Sequence, residues 1–200
     1  MNRRQRWAWF LAILVVSLLM MPPLQLLASR FAADGLTARE VVGSVWRGRL
    51  RGAAWRGVEF GELRLHLQPF SLLAGTRALR ANGDSLSLRL LQGRRNGVDG
   101  MHGRIALGEA RLMAGLQAEA EFDGFALVFE DGRCMHAAGR SQLRLAPPGG
   151  NREVVLLAGA PTCADRVGLV ELRSQGGSSR IEASLRIEAD GGYRLQALVG

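Results

Sequence analysis

The chain has no lysine: all 26 of its basic residues are arginines, which we take chiefly as a codon signature rather than as a functional mark. It also lacks the motifs through which turnover usually announces itself. No G-x-x-x-x-G-K-[ST] loop is present to cradle phosphate, no H-E-x-x-H to hold zinc, and no G-x-S-x-G to expose a nucleophile. Ser85 in Gly83-Asp84-Ser85-Leu86-Ser87 and Ser141 in Gly139-Arg140-Ser141-Gln142-Leu143 each miss the final glycine. Aromatics are only 6% of residues against 26 glycines, so the core must be built from Leu, Val, Ile and Ala between many turns. No long amphipathic helix is available to cover a sheet. Together these absences point away from an enzyme and from any cofactor.

The remaining candidates for chemistry are thin. His66, His102 and His136 stand in three separate segments, and His66 falls on the polar side of an alternating run. Glu119, Glu121 and Asp123 alternate with Ala118, Ala120 and Phe122, which places three acids on one strand face as a solvated outer surface would. Only two cysteines occur, Cys134 and Cys163, and an even pair beyond a membrane anchor is expected to form a disulfide. A metal site composed from Cys134, His136 and Cys163 is the alternative; Cys134 and His136 lie two apart and so would share a strand face, but a fourth ligand is not evident. Trp46 and Trp55 are expected in core or bulge positions beside their glycines.

Charge is concentrated at the start. From Asp34 onward 22 arginines meet 18 acids, interleaved along the chain, which argues against a nucleic-acid partner. Arg3, Arg4 and Arg6, with no acid before Asp34, precede the uncharged stretch 7–28. As a helix that stretch is about 33 Å long at roughly 1.5 Å per residue, enough to cross a hydrocarbon layer of ~30 Å. The positive-inside rule then keeps 1–6 in the cytoplasm and sends 29–200 across the membrane. A cleaved signal peptide ending near Pro22-Pro23 is the rival reading, but small residues at the −3 and −1 positions occur only at Ala33-Asp34-Gly35. We therefore expect an uncleaved single-pass anchor over 7–28 and one domain beyond it.

That domain reads as mainly β. Leu63, Leu65 and Leu67 alternate with Arg64, His66 and Gln68; Leu86, Leu88 and Leu90 with Ser85, Ser87 and Arg89; and Ile181 to Ala189 gives five apolar against four polar positions. Turn signals stand at Asn82-Gly83, Asn96-Gly97, Asp131-Gly132, Pro147 to Asn151, Gly176 to Ser179 and Asp190-Gly191-Gly192. About ten antiparallel strands in a meander are predicted, forming an open trough, a partly closed barrel or a sandwich. Thr37 and Glu40 have capping-box spacing ahead of Gly43, which predicts a short helix over 37–43. Pro69 to Gly75 predicts a helical turn or loop that plugs one end of the sheet.

Several of these pieces, taken in order, resemble protein N of the bacterial type II secretion system. After the basic tail and anchor come Gly43-Ser44-Val45-Trp46-Arg47-Gly48, then Gly61-Glu62-Leu63 leading to Pro69 and Leu72-Leu73-Ala74-Gly75, and finally Cys134 with Gly159-Ala160-Pro161-Thr162-Cys163. Leu65 or Leu67 stands where the family pattern has a tryptophan. The resemblance implies an accessory protein of the inner membrane with a periplasmic β domain. Its partners would be the inner-membrane platform and the secretin, in the export of folded proteins. It also implies kinship with the AsmA-like group, whose curved, apolar-lined sheets are linked to lipid handling.

Overall fold

The alternation read from sequence is realised as one antiparallel sheet of fourteen strands. The computed structural model describes residues 5, 7, 9 and 10, 36–44, 46–55, 58–109, 117–146, 154–176 and 181–199. The strands are β1 (Leu36–Thr37), β2 (Glu40–Gly43), β3 (Gly48–Trp55), β4 (Val58–Gln68), β5 (Thr76–Gly83), β6 (Leu86–Gly93) and β7 (Arg95–Glu109). They continue as β8 (Gln117–Glu130), β9 (Arg133–Ala146), β10 (Val155–Gly159), β11 (Pro161–Ala164), β12 (Val167–Ser174), β13 (Ile181–Glu188) and β14 (Tyr193–Val199). One short helix, α1 (Pro69–Leu73), joins β4 to β5. Each strand pairs with the next except at two places, where β1 and β2 both lie on β3 and β10 and β11 both lie on β12. The short strands β1, β2 and β11 at these interruptions account for most of the excess of fourteen strands over the ten or so expected.

Cross-strand register divides the residues cleanly between two faces, because directly opposed antiparallel residues point the same way. On one face Leu50 meets Leu63, Leu67 meets Leu79, Leu79 meets Leu90, and Leu90 meets Val98. The same face continues through Val98 opposite Leu127, Ala120 opposite Leu143, Leu143 opposite Leu157, and Val170 opposite Leu185. This face is concave. Leu127 on β8 and Gly168 on β12 are three strand spacings apart, roughly 14 Å in a flat sheet. A Cβ on Gly168 would nonetheless collide with the Leu127 side chain. Curling lets Leu86, Met101, Phe125, Leu127, Phe129, Cys134 and Val170 form one core, with Phe60 of β4 and Leu185 and Ile187 of β13 against it. The edges, β1–β2 on one side and β14 on the other, do not pair with each other, so the described sheet is open rather than a barrel.

Two local expectations are overturned. Residues 37–43 are not helix but the end of β1, a bend at Ala38–Arg39, and β2: Thr37 pairs with Ala54 and its hydroxyl donates to the Ala54 carbonyl at 3.3 Å. Glu40, which would have closed a capping box, instead holds Arg51 at 2.9 Å, and the β-branched Val41-Val42 lies against Leu50 and Arg49. Pairing with β3 thus overrides a two-residue capping signal. Asn96-Gly97 is no turn either; it lies inside β7, where Gly97 packs on the Leu127 carbonyl with no room for a side chain, and the chain reverses at Gly93–Arg94. The turn expected at Asn82-Gly83 falls just after it, at Asp84–Ser85. Asp131-Gly132 and Asp190-Gly191 turn as expected, while 147–151 and 177–179 lie outside the described residues.

The anchor assigned to 7–28 is described only at Trp7, Trp9 and Phe10, which are helical; the rest lies outside the described residues. Among described residues no helix is long and apolar enough to cross a membrane. The helical turn at 69–73 forms as expected, yet it buries none of its residues and so plugs nothing.

Candidate functional site

The inner face is a concave apolar surface that its own curl largely covers: Leu50, Leu63, Leu86, Leu127, Leu157 and Val170 are buried, whereas Leu90 and Leu195 remain over a third exposed. β8 is the keel of this arrangement, since Phe125 to Phe129 are buried without a break and so are covered on both faces. On the outer side Val128 contacts Ala78 and Leu91, with Gly97 of β7 between them in register.

Cys134 and Cys163 are bonded, with Cα atoms 5.4 Å apart, tying the start of β9 to β11. The Cys134 N–H donates to the Asp165 carbonyl at 2.9 Å beside the bridge. With both sulfurs committed, no thiolate is left for the metal site considered above. His136 does not share a face with Cys134 in any case, because a register shift pairs Cys134 with inner Phe129 but His136 with outer Val128. Ser141 is buried and its hydroxyl donates to the Gly159 carbonyl at 3.3 Å, a structural rather than a nucleophilic placement.

The motif residues organise turns and breaks rather than a cavity. Gly43 and Gly48 pair across the β2–β3 reversal that carries Trp46; Gly43 has φ +98° and a side chain there would run into the Arg47 carbonyl. Gly61 sits opposite Ala53 at a β-bulge, Pro69 opens α1 where its missing N–H costs nothing, and Gly75 follows that helix. Gly159 ends β10 pressed against the Glu171 carbonyl, leaving no space for a Cβ, and Pro161 is buried at the start of β11. Trp46 and Trp55 flank β3, and Trp55 is half exposed rather than in the core.

The outer face carries a feature that linear inspection missed. A cleft of about 540 Å³ is lined by Arg47, Arg49, Arg51, Arg64 and His66, with Glu40 the acid among its walls. Arg49 lies directly opposite Arg64, and the next row runs His66, Arg80, Arg89 across β4, β5 and β6. Like charges face each other there, an arrangement that is unfavourable without a counter-ion. Only part of it is relieved within the chain, by Arg49–Glu62 at 3.2 Å, Arg51–Glu40 at 2.9 Å and Arg89–Asp99 at 3.4 Å, while the Arg89 Nε is buried without a partner. Beyond β7 most outer-face partners are of opposite sign, Arg186 opposite Arg194 being the exception. Arg104 meets Glu121, Glu119 meets Arg144, Asp123 meets Arg140 and Arg173 meets Glu182. The three acids expected on an outer strand face are there, each opposed to an arginine.

Fold and surface together define a class of protein: a single curled β-meander, stapled by one disulfide, with an apolar core inside its curl and a basic cleft outside. Within that class the chain belongs to the protein N family of the type II secretion system, whose family model matches residues 34–200. No curated protein and no solved structure matches the chain significantly.

Proposed function

We propose that the protein is an accessory, non-enzymatic component of the type II secretion system, held in the inner membrane by 7–28 with its β domain in the periplasm. Family membership over 34–200 is the observation that carries this reading. A broad sheet surface suits a role in assembly, and tethering raises the effective concentration of weak contacts with the inner-membrane platform and the secretin. Deleting the gene should leave folded exoproteins in the periplasm, as measured by fractionation. Normal release would overturn the assignment. An active C-terminal alkaline phosphatase fusion is the expected topology result, and a silent one reverses the orientation.

A second reading, an AsmA-like module that binds or passes lipid, is favoured by the apolar concave face, on which Leu90 and Leu195 are over a third exposed. Near-stoichiometric phospholipid in mass spectra of extracts from the purified protein would support it. Lipid-free protein combined with a secretion defect would leave the first reading alone.

A further inference from the structure

We propose that α1 and the arginine rows of β3–β6 form a docking surface for an anionic phospholipid bilayer, separate from the inner concave face. Phe70 is 82% exposed and Leu73 88%, with Leu72 beside them, so α1 presents three large apolar side chains to solvent. The helix is not a loose excursion. Its Ser71 hydroxyl donates to the Gln68 carbonyl at 2.6 Å and accepts the Ala78 N–H at 3.1 Å, where outer-face Ala78 is fully buried. The Arg94 N–H donates to the Gly75 carbonyl at 3.1 Å, which docks the β6–β7 turn against the same tip. Five residues, 69–73, are therefore braced in a conformation that buries none of them.

The knob adjoins the basic cleft. His66, which lines the cleft, precedes Phe70 by four residues along β4 and its extension, and the β2–β3 turn with Trp46 and Arg47 reverses at the same end of the sheet. Arginines on adjacent strands are spaced by about 4.8 Å across the sheet and by roughly 6.6 Å along each strand on one face. Such an array of forked donors matches a layer of phosphate monoesters and diesters, which guanidinium binds bidentately. Apolar side chains beside a basic field fit the two layers of a bilayer surface, acyl chains beneath phosphates. An acidic protein would satisfy the arginines but set Phe70, Leu72 and Leu73 against carboxylates. Leu36, where 29–35 joins the sheet, lies beside Trp55 at the end of β3 and β4 away from α1, roughly 33 Å along the strand, so a link that reaches at most about 25 Å brings the knob to the bilayer with the arginine face laid along the membrane.

The test is hydrogen exchange on the full chain in nanodiscs of phosphatidylcholine with and without phosphatidylglycerol, and in detergent. Amides of 69–75 and 46–51 should be protected only in discs containing phosphatidylglycerol, and raised salt should remove that protection. Phe70→Ser with Leu73→Ser should lose it at 69–75. Arg49→Gln, Arg64→Gln and Arg80→Gln together should abolish the lipid selectivity, whereas Arg104→Gln, Arg140→Gln and Arg144→Gln should not. Since both knob residues are exposed, an intact disulfide and unchanged circular dichroism are expected of that variant. Exchange at 69–75 as fast in phosphatidylglycerol discs as in detergent overturns the proposal, as does equal protection in purely zwitterionic discs. Protection that appears only on adding a soluble acidic protein overturns it too and identifies the occupant as protein.

Discussion

The two halves of the sheet share an inner face and differ on almost everything else. From β7 to β14 the longest strands, β7 to β9, carry the main core, Phe125 to Phe129 of β8 are buried without a break, opposite charges face each other on the outer side except where Arg186 meets Arg194, and the disulfide clamps β9 to β11. From β1 to β6 no strand exceeds 11 residues, Leu50, Ala53 and Leu63 form a small separate cluster, and the outer face sets Arg49 against Arg64 and Arg80 against Arg89 beside an apolar knob. The C-terminal half pairs most of its outer charge, whereas the N-terminal half sets arginine rows beside a braced apolar knob. In a single sheet with continuous hydrogen bonding, that asymmetry assigns mechanical support to the C-terminal half and contact with other molecules to the N-terminal half.

The strongest way to break this division is to unfasten the half that carries the structure. Removing the bridge with Cys134→Ser and Cys163→Ser frees a loop whose ends are 29 residues apart. Chain entropy values that link at about 3 to 4 kcal/mol, to be read from urea denaturation under oxidising conditions. If stability is unchanged, the clamp is not what holds the C-terminal half.

Paired core truncations come next in size. Leu127→Ala removes a side chain that packs both within the largest core cluster and over Gly168, so a loss of about 4 kcal/mol is expected. Leu50→Ala, equally buried but in a cluster of three, should cost nearer 2 to 3 kcal/mol because fewer neighbours line the cavity. The reverse ranking would place the keel in the wrong half.

Much of this was legible in the sequence and some could not be. The strands at Leu63 to Leu67, Leu86 to Leu90 and Ile181 to Ile187 follow from period-two alternation, because a one-residue slip would turn every leucine outward. The disulfide followed from cysteine arithmetic. The element at 37–43 did not, since a capping box is a local signal and the pairing of Glu40 with Arg51 is not local. The arginine rows were hidden for a different reason. Arg49, Arg64, Arg80 and Arg89 are separated along the chain by acids and apolar residues, so their charges look interleaved, and only strand register gathers them. The signal was present in the polar positions of the alternating runs, Arg64 and His66 with Arg89, but which runs are neighbours is a property of topology.

Surface changes give smaller effects that sharpen the same comparison. Phe70→Ser with Leu73→Ser should shift stability by less than about 0.5 kcal/mol, because neither side chain is buried in the fold. A larger loss in denaturation would mean that α1 supports the sheet after all, and the braced knob would then be a structural element.

The smallest effect is the most telling because it should change sign with the residue that faces the arginine. Arg64 stands directly opposite Arg49, and a like-charge pair across two strands is destabilising, so Arg64→Gln should raise stability by a few tenths of a kcal/mol. Arg104 stands opposite Glu121 with its guanidinium 3.2 Å from the carboxylate, so the same substitution there should lower stability by a similar amount. Both side chains are exposed, and raised salt should shrink both differences toward zero. Denaturation midpoints of the two variants at low and high salt make the comparison. Opposite signs that converge with salt are the expected pattern; a loss of stability in Arg64→Gln at low salt would show that the arginine rows are already compensated within the fold and are not waiting for an external anion.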